Sequence, residues 1–99
     1  MNYIVFDLEW NQSSTGLEEE TARLPFEIIE IGAVKLDSRG EQSGEFSELV
    51  RPVIYREMNR ATGNLLHLQI EELENGSSFV AAARRFLEWC GEEEYRFCT

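Results

Sequence analysis

The stretch YIVFDLEWN, residues 3–11, restricts the fold more than any other. Successive side chains of a strand leave opposite faces. Tyr3, Val5, Asp7 and Glu9 therefore share one face, and Ile4, Phe6, Leu8 and Trp10 share the other. An apolar residue at every position of the second face marks a half-buried β-strand. The first face holds the difficulty. Asp7 and Glu9 leave it roughly 6.5 Å apart. They repel one another, and burying them without partners would cost stability. Two environments accept such a pair. One is water. The other is a divalent cation such as Mg²⁺ or Mn²⁺, which takes oxygen ligands. Two such ions about 3.5–4 Å apart, gripped by converging carboxylates, serve phosphodiester cleavage. One ion makes hydroxide from water and the other steadies the leaving oxygen. D-x-E is common on half-exposed strands, so spacing alone leaves both environments open.

The remaining segments supply further strands and one clear helix. After the first strand comes NQSSTGLEEETARLP, polar and without periodicity. A loop that long in a small domain is functional or disordered, and its EEE at 18–20 reads as a solvated charge run. FEIIEIGAVKLD, residues 26–37, is rich in β-branched residues and ends at the turn signal SRGE. EFSELVRP, 45–52, reads as the returning strand, closed by Pro52, so the two form an antiparallel hairpin beside strand one. Residues 53–76 are mixed, with a short helical pattern around LQIEEL that stops at Asn75-Gly76. SSFVAAARRFLEWC, 77–90, predicts a helix whose apolar face carries Phe79, Val80, Ala83, Phe86, Leu87 and Cys90. Ser77 or Ser78 suits its N-cap and Gly91 its C-terminus. YRFCT reads as the opening of another strand. Three antiparallel strands, a helix and the start of a fourth strand make an α/β arrangement.

Length and charge narrow the function. Ninety-nine residues fit a single domain. The net charge is −10, with −8 of it in residues 1–50. That balance opposes loose, charge-driven binding to nucleic acid or anionic membranes. Any nucleic-acid contact must be local or carried by bound cations. Cys90 and Cys98 lack metal-site spacing, and no apolar run reads as a signal peptide or a membrane span. The expectation is a cytoplasmic protein with reduced thiols.

VFDLEWN, then FEIIEIGAVKLD, then F-x-x-LVRP and SFVAAARRFLEWCG together resemble the DnaQ-like, or DEDD, superfamily of 3′–5′ exonucleases. The resemblance runs over essentially the whole chain. It is nearest to the bacterial D-L-E-W-N branch, related to RNA-trimming exonucleases and to inhibitors of sporulation signalling. It implies a ribonuclease H-like exonuclease fold with the first acidic motif on strand one. By that resemblance Asp7 bridges two divalent cations, Mg²⁺ or Mn²⁺, and Glu9 binds the ion that activates water. The peptide from Leu8 to Trp10 would lie against the 3′-terminal nucleotide of a single strand of RNA or DNA. Relatives often carry a small residue or Thr where Trp10 stands.

The superfamily uses four acidic residues and a general base, and this chain carries only the first acidic pair. Residues 1–99 are therefore expected to be the N-terminal part of one exonuclease domain, with little activity alone. His67, the only histidine, precedes the main helix, whereas the superfamily's base lies near the end of the domain. Leu66 and His67 stand where relatives carry a substrate-contacting Thr-Gly, so neither receives a role. Glu27 and Glu30, three apart on strand two, are expected to face opposite sides. Arg84 and Arg85 are expected to snorkel at the helix edge, and Phe79, Phe86 and Trp89 to pack in the core. The edge of strand one bearing Ile4, Val5 and Phe6 is expected to lie open and invite self-association. A second reading is a non-catalytic regulatory or nucleic-acid-binding relative, and a third is an acidic α/β domain without a site.

Overall fold

A computed structural model describes residues 1–14 and 25–99. The expected charge run at 18–20 lies outside the described residues. The elements are β1 (Asn2–Asn11), β2 (Glu27–Leu36), β3 (Gln42–Leu49), α1 (Arg60–Leu66), α2 (Ile70–Glu74), α3 (Phe79–Cys90) and β4 (Tyr95–Cys98). The strands form one sheet in the order β3-β2-β1-β4. β1 and β3 each run antiparallel to β2, and β4 runs parallel to β1. α3 makes the crossover that a parallel pair requires.

Local chemistry sets the turns and ends. In the β2–β3 turn, Asp37 Oδ1 accepts from the Arg39 and Glu41 amides at 2.8 and 3.0 Å. Gly40 there takes φ +81°, a conformation that side-chain-bearing residues rarely adopt. Ser78 Oγ caps α3 by accepting from the Ala81 amide at 3.2 Å, and Gly91 at φ +83° ends it. β3 spans 42–49 rather than 45–52. Val50 instead makes a single parallel bridge to Ser77. Gly76 permits that approach, since a Cβ there would stand 2.9 Å from the Leu49 carbonyl oxygen.

The core lies between one sheet face and α3. Ile4, Ala33 and Cys90 form one buried cluster, joined by Phe6, Phe46, Phe86, Trp89 and Tyr95. Ile31, Val50 and Ala82 form a second, joined by Leu8, Ile28, Phe46 and Phe86. Fully burying an aliphatic side chain such as Ile4 contributes roughly 1.5–3 kcal/mol. Lys35 closes the lower end, with Nζ 4.7 Å from the centre of the Trp89 ring and donating to the Trp89 carbonyl.

Three expectations are corrected here. The inward stripe of α3 runs through Ala82, Phe86, Trp89 and Cys90, while Phe79, Val80 and Leu87 are more than half exposed. Ala82 is small enough to bring the helix close, and that rotates the outer apolar residues into solvent. The second edge of β1 is not open at Ile4 and Val5, which pair with Phe97 and Cys98 of β4. Arg85 does not merely snorkel: its guanidinium pairs with Glu48 and donates to Ser77 Oγ.

Candidate active site

β1 carries Asp7 and Glu9 on the face away from α3. Opposite them on β2, Asp7 pairs with Gly32 and Glu9 with Glu30. Paired residues of an antiparallel ladder project their side chains to the same face, Cβ atoms about 5 Å apart. Three carboxylates therefore gather on one patch of sheet. The Glu9 carboxyl is held above its ordinary pKa by partial burial, then by the charges of Asp7 and Glu30, and by a hydrogen bond with Asp7. No cation of the chain neutralises the patch among the described residues.

The donor set suits a hard divalent cation, because carboxylate oxygens are its preferred ligands. Asp7 and Glu9 fit as an open pair rather than a closed cage. Among the described residues no three acidic, His or Cys side chains converge closely enough to hold an ion by themselves.

The β2 side of the patch contains an irregularity that corrects the expected placement of Glu27. Glu9 pairs with Glu30, yet Trp10 pairs with Ile28, so Ile29 is an extra residue in the ladder. Such a bulge shifts the alternation by one. Glu27 pairs with Asn11 and so joins Glu30 on the face of the odd-numbered β1 residues. Ile29 itself is fully buried.

Sequence reasoning missed Asn11 and the clamping role of Glu27. Both are buried polar groups, at 8% and 0% exposure, and both are satisfied. The Glu27 carboxylate accepts from the amides of Val53 at 2.8 Å, Ile54 at 3.2 Å and Tyr55 at 3.0 Å. Asn11 Nδ2 donates to the carbonyls of Tyr55 at 3.3 Å and Glu57 at 3.0 Å, and its Oδ1 accepts from the Asn59 amide at 2.9 Å. Asn59 in turn donates to the Ser13 carbonyl at 3.1 Å and caps α1. These bonds clamp residues 53–59 to the end of β1, two positions past Glu9. The available signal was a polar residue at the end of each strand's apolar run.

The other expected site residues separate. The Leu8 side chain packs into the core cluster of Ile31, Val50 and Ala82, leaving only its peptide for the opposite face. Trp10 is 45% exposed and meets Phe26 edge-on, ring centroids 6.3 Å apart. Both line an open apolar cleft of about 340 Å³ with Arg51, Ile54 and Phe79. His67 is exposed and ends α1 at φ +56°.

The RNase T exonuclease family model matches residues 4–95. The chain belongs to the RNase T exonuclease family. No curated protein matches it. Among solved structures, the nuclease domain of 3′hExo, a DEDDh family member bound to rAMP, is similar at TM-score 0.80 and 18% identity, over 97% of this chain and 50% of that one. Cell-death related nuclease 4 (CRN-4) is similar at TM-score 0.78 and 18% identity, over 97% and 33%. Escherichia coli exonuclease I in complex with a dA13 oligonucleotide gives TM-score 0.68 and 12% identity, over 97% and 20%. The chain thus spans half or less of each of these structures. The four-stranded mixed sheet with its helices matches the ribonuclease H-like exonuclease fold of these proteins. No helix among the described residues of this exonuclease-family chain is long and apolar enough to cross a membrane.

Proposed function

We propose that this chain is the N-terminal part of a single metal-dependent 3′–5′ exonuclease domain of the D-L-E-W-N branch, removing nucleoside monophosphates from single-stranded RNA or DNA ends. One observation carries the reading. Asp7 and Glu9 share a sheet face with no partner cation among the described residues, on the first strand of an exonuclease-family fold. Uncompensated carboxylates cost stability unless something outside the pair completes them. In this reading Asp7 and Glu9 would hold two divalent cations, Mg²⁺ or Mn²⁺. A bound cation supplies polarisation of the scissile phosphate and a nucleophile at neutral pH.

The chain's own residues then do three things. Leu8 anchors the strand in the core, so that the carboxylates on either side of it are fixed rather than mobile. The peptide from Leu8 to Trp10 lies against the 3′-terminal nucleotide. The clamp made by Asn11 and Glu27 fixes the neighbouring segment 53–59 in the same frame. Since the chain carries only the first acidic pair, weak cation binding and little turnover are expected of it alone. The free thiols of Cys90 and Cys98 accord with a cytoplasmic location.

Mn²⁺ titration of the 99-residue chain, followed by paramagnetic resonance of the free ion, tests the reading. Binding is expected, and Asp7→Ala should lower its affinity at least tenfold. In the complete exonuclease domain, a 5′-labelled single strand should be shortened from its 3′ end with Mn²⁺ and not with EDTA. Cleavage that persists in EDTA, or Mn²⁺ affinity unchanged by Asp7→Ala, would defeat the assignment.

A further inference from the structure

Residues 51–60 run against the charge of the chain. They carry three arginines and one glutamate, net +2, whereas residues 1–50 carry −8 and residues 61–99 carry −4. Arg51, Arg56 and Arg60 are all exposed, and none has an ion-pair partner among the described residues. Glu57, the one acid of the segment, accepts from Ser14 Oγ at 3.0 Å. Elsewhere Lys35 is committed to Trp89 and Arg85 to Glu48. Arg39, Arg84 and Arg96 also lack ion pairs, so three of the six unpaired cations among the described residues lie on this one short segment.

That segment is also held rigidly. Glu27 and Asn11 bind its backbone from Val53 to Asn59, and the Arg51 amide donates to the Ser77 carbonyl at 2.7 Å. Beside it, Trp10 and Phe26 are 45% and 48% exposed, an unusual position for two large aromatic rings in contact. They form a ridge between two open hollows. The first is the cleft of about 340 Å³ that includes Arg51 and Ile54. The second, about 390 Å³, is lined by Gln12 and by Thr62 of α1, the helix that Arg60 begins.

Fixed cations beside exposed aromatic rings are what proteins use to hold single-stranded nucleic acid, phosphates on the cations and bases on the rings. We infer that the Trp10–Phe26 ridge and the neighbouring segment that carries Arg51, Arg56 and Arg60 hold a single strand of nucleic acid at the end of the sheet where the strand bearing Asp7 and Glu9 finishes. The inference takes its substrate class from the nuclease reading above, but it requires no bound metal. A duplex keeps its bases stacked on one another and cannot offer them to the ridge. The acidic remainder of the chain repels phosphate, so the strip also sets where the strand can lie.

Fluorescence anisotropy of a short 5′-labelled single-stranded oligonucleotide, in EDTA and across a salt series, tests this. Three neutralised phosphates give a slope of about −2 in log K against log salt for a single strand. The triple variant R51Q/R56Q/R60Q should lose most of that slope and bind at least tenfold more weakly at low salt. The corresponding triple Arg→Lys variant should keep the slope. Phe26→Ala should lower affinity about tenfold with the slope unchanged, because stacking releases no counterions. A matching duplex should bind more weakly than the single strand. Circular dichroism checks that each variant remains folded, and all four side chains are exposed. No binding by the unaltered chain, or the same affinity in R51Q/R56Q/R60Q, would overturn the inference. Mn²⁺ binding reports separately on the nuclease reading. Loss of Mn²⁺ binding with arginine-dependent strand binding intact would sink that reading and leave this surface standing.

Discussion

Glu27 and Glu9 lie at the same end of the sheet, and the structure treats them in opposite ways. Glu27 is the more buried, yet three backbone amides complete it. Glu9 is only half-buried, yet its partial burial, and then the charges of Asp7 and Glu30, push it toward its protonated form. Burial alone therefore does not decide what a carboxylate costs; the groups that surround it do. The chain satisfies the glutamate that holds the scaffold and leaves unsatisfied the one that faces solvent beside the proposed cation site.

The largest effect should come from breaking the satisfied side. Glu27→Ala strands the amides of Val53, Ile54 and Tyr55 and should cost about 3 kcal/mol, read as a lower urea midpoint with an unchanged slope. Equal stability would mean that the clamp is ornamental. The next effect belongs to the unsatisfied side. Mn²⁺ at a hundred times its dissociation constant should add about 2.7 kcal/mol of unfolding free energy. Asp7→Asn should remove that increment, and Glu27→Ala should keep it. If Glu27→Ala abolishes it too, the two regions are one unit and the contrast fails.

Two smaller effects separate the carboxylates by pH. Glu48 is held below its ordinary pKa by the Arg85 guanidinium hydrogen bond foremost, opposed by burial and aided by Ser77. A depressed acid contributes stability above the ordinary glutamate pKa and loses it as pH falls through the lowered value. Glu48→Gln should therefore be less stable than the parent at neutral pH, with the gap closing in acid. The loss should stay well below that of Glu27→Ala, because solvent screens an exposed pair. Glu9 has the opposite sign. Its raised pKa makes the metal-free protein most stable below the ordinary glutamate value, with stability declining as pH rises through the raised one. Glu9→Gln should flatten that decline in pH-dependent thermal unfolding, the smallest change of the four. A steeper decline in Glu9→Gln would show that Asp7 and Glu30 are not its opponents.

Much of this architecture was legible in the residues. Alternation in YIVFDLEWN gives β1 both its faces, and β-branched richness gives β2. Ser78 and Gly91 bracket α3 as capping chemistry demands. The hidden parts are those where local pattern carries no phase. Ile28 and Ile29 are adjacent and equally apolar, so nothing in FEIIEIG reveals which of them is the extra residue. RATGNLL contains Thr, Gly and Asn, all poor helix formers, and α1 is started by the Asn59 cap instead. In α3, apolar residues cover more than one stripe, and only contact with the sheet selects Ala82 over Val80. At the site, the Asp7–Glu9 pair was readable from spacing. Glu30 opposite Glu9, and Glu27 turned to the same side, depended on a register that only the paired strands define.

The extra residue at Ile29 makes segment length, and not only residue identity, a determinant of the site. A ladder without the bulge, in which Ile29 took the place of Ile28 opposite Trp10, would carry Glu27 one position past Asn11, turning it toward the helix side and away from the amides of residues 53–55. The segment that bears the arginines would then lose its anchor while every functional side chain remained in the sequence. A chain of this kind tolerates exchanges among Ile28, Ile29 and Ile31 far better than it tolerates a shift of the register that places them.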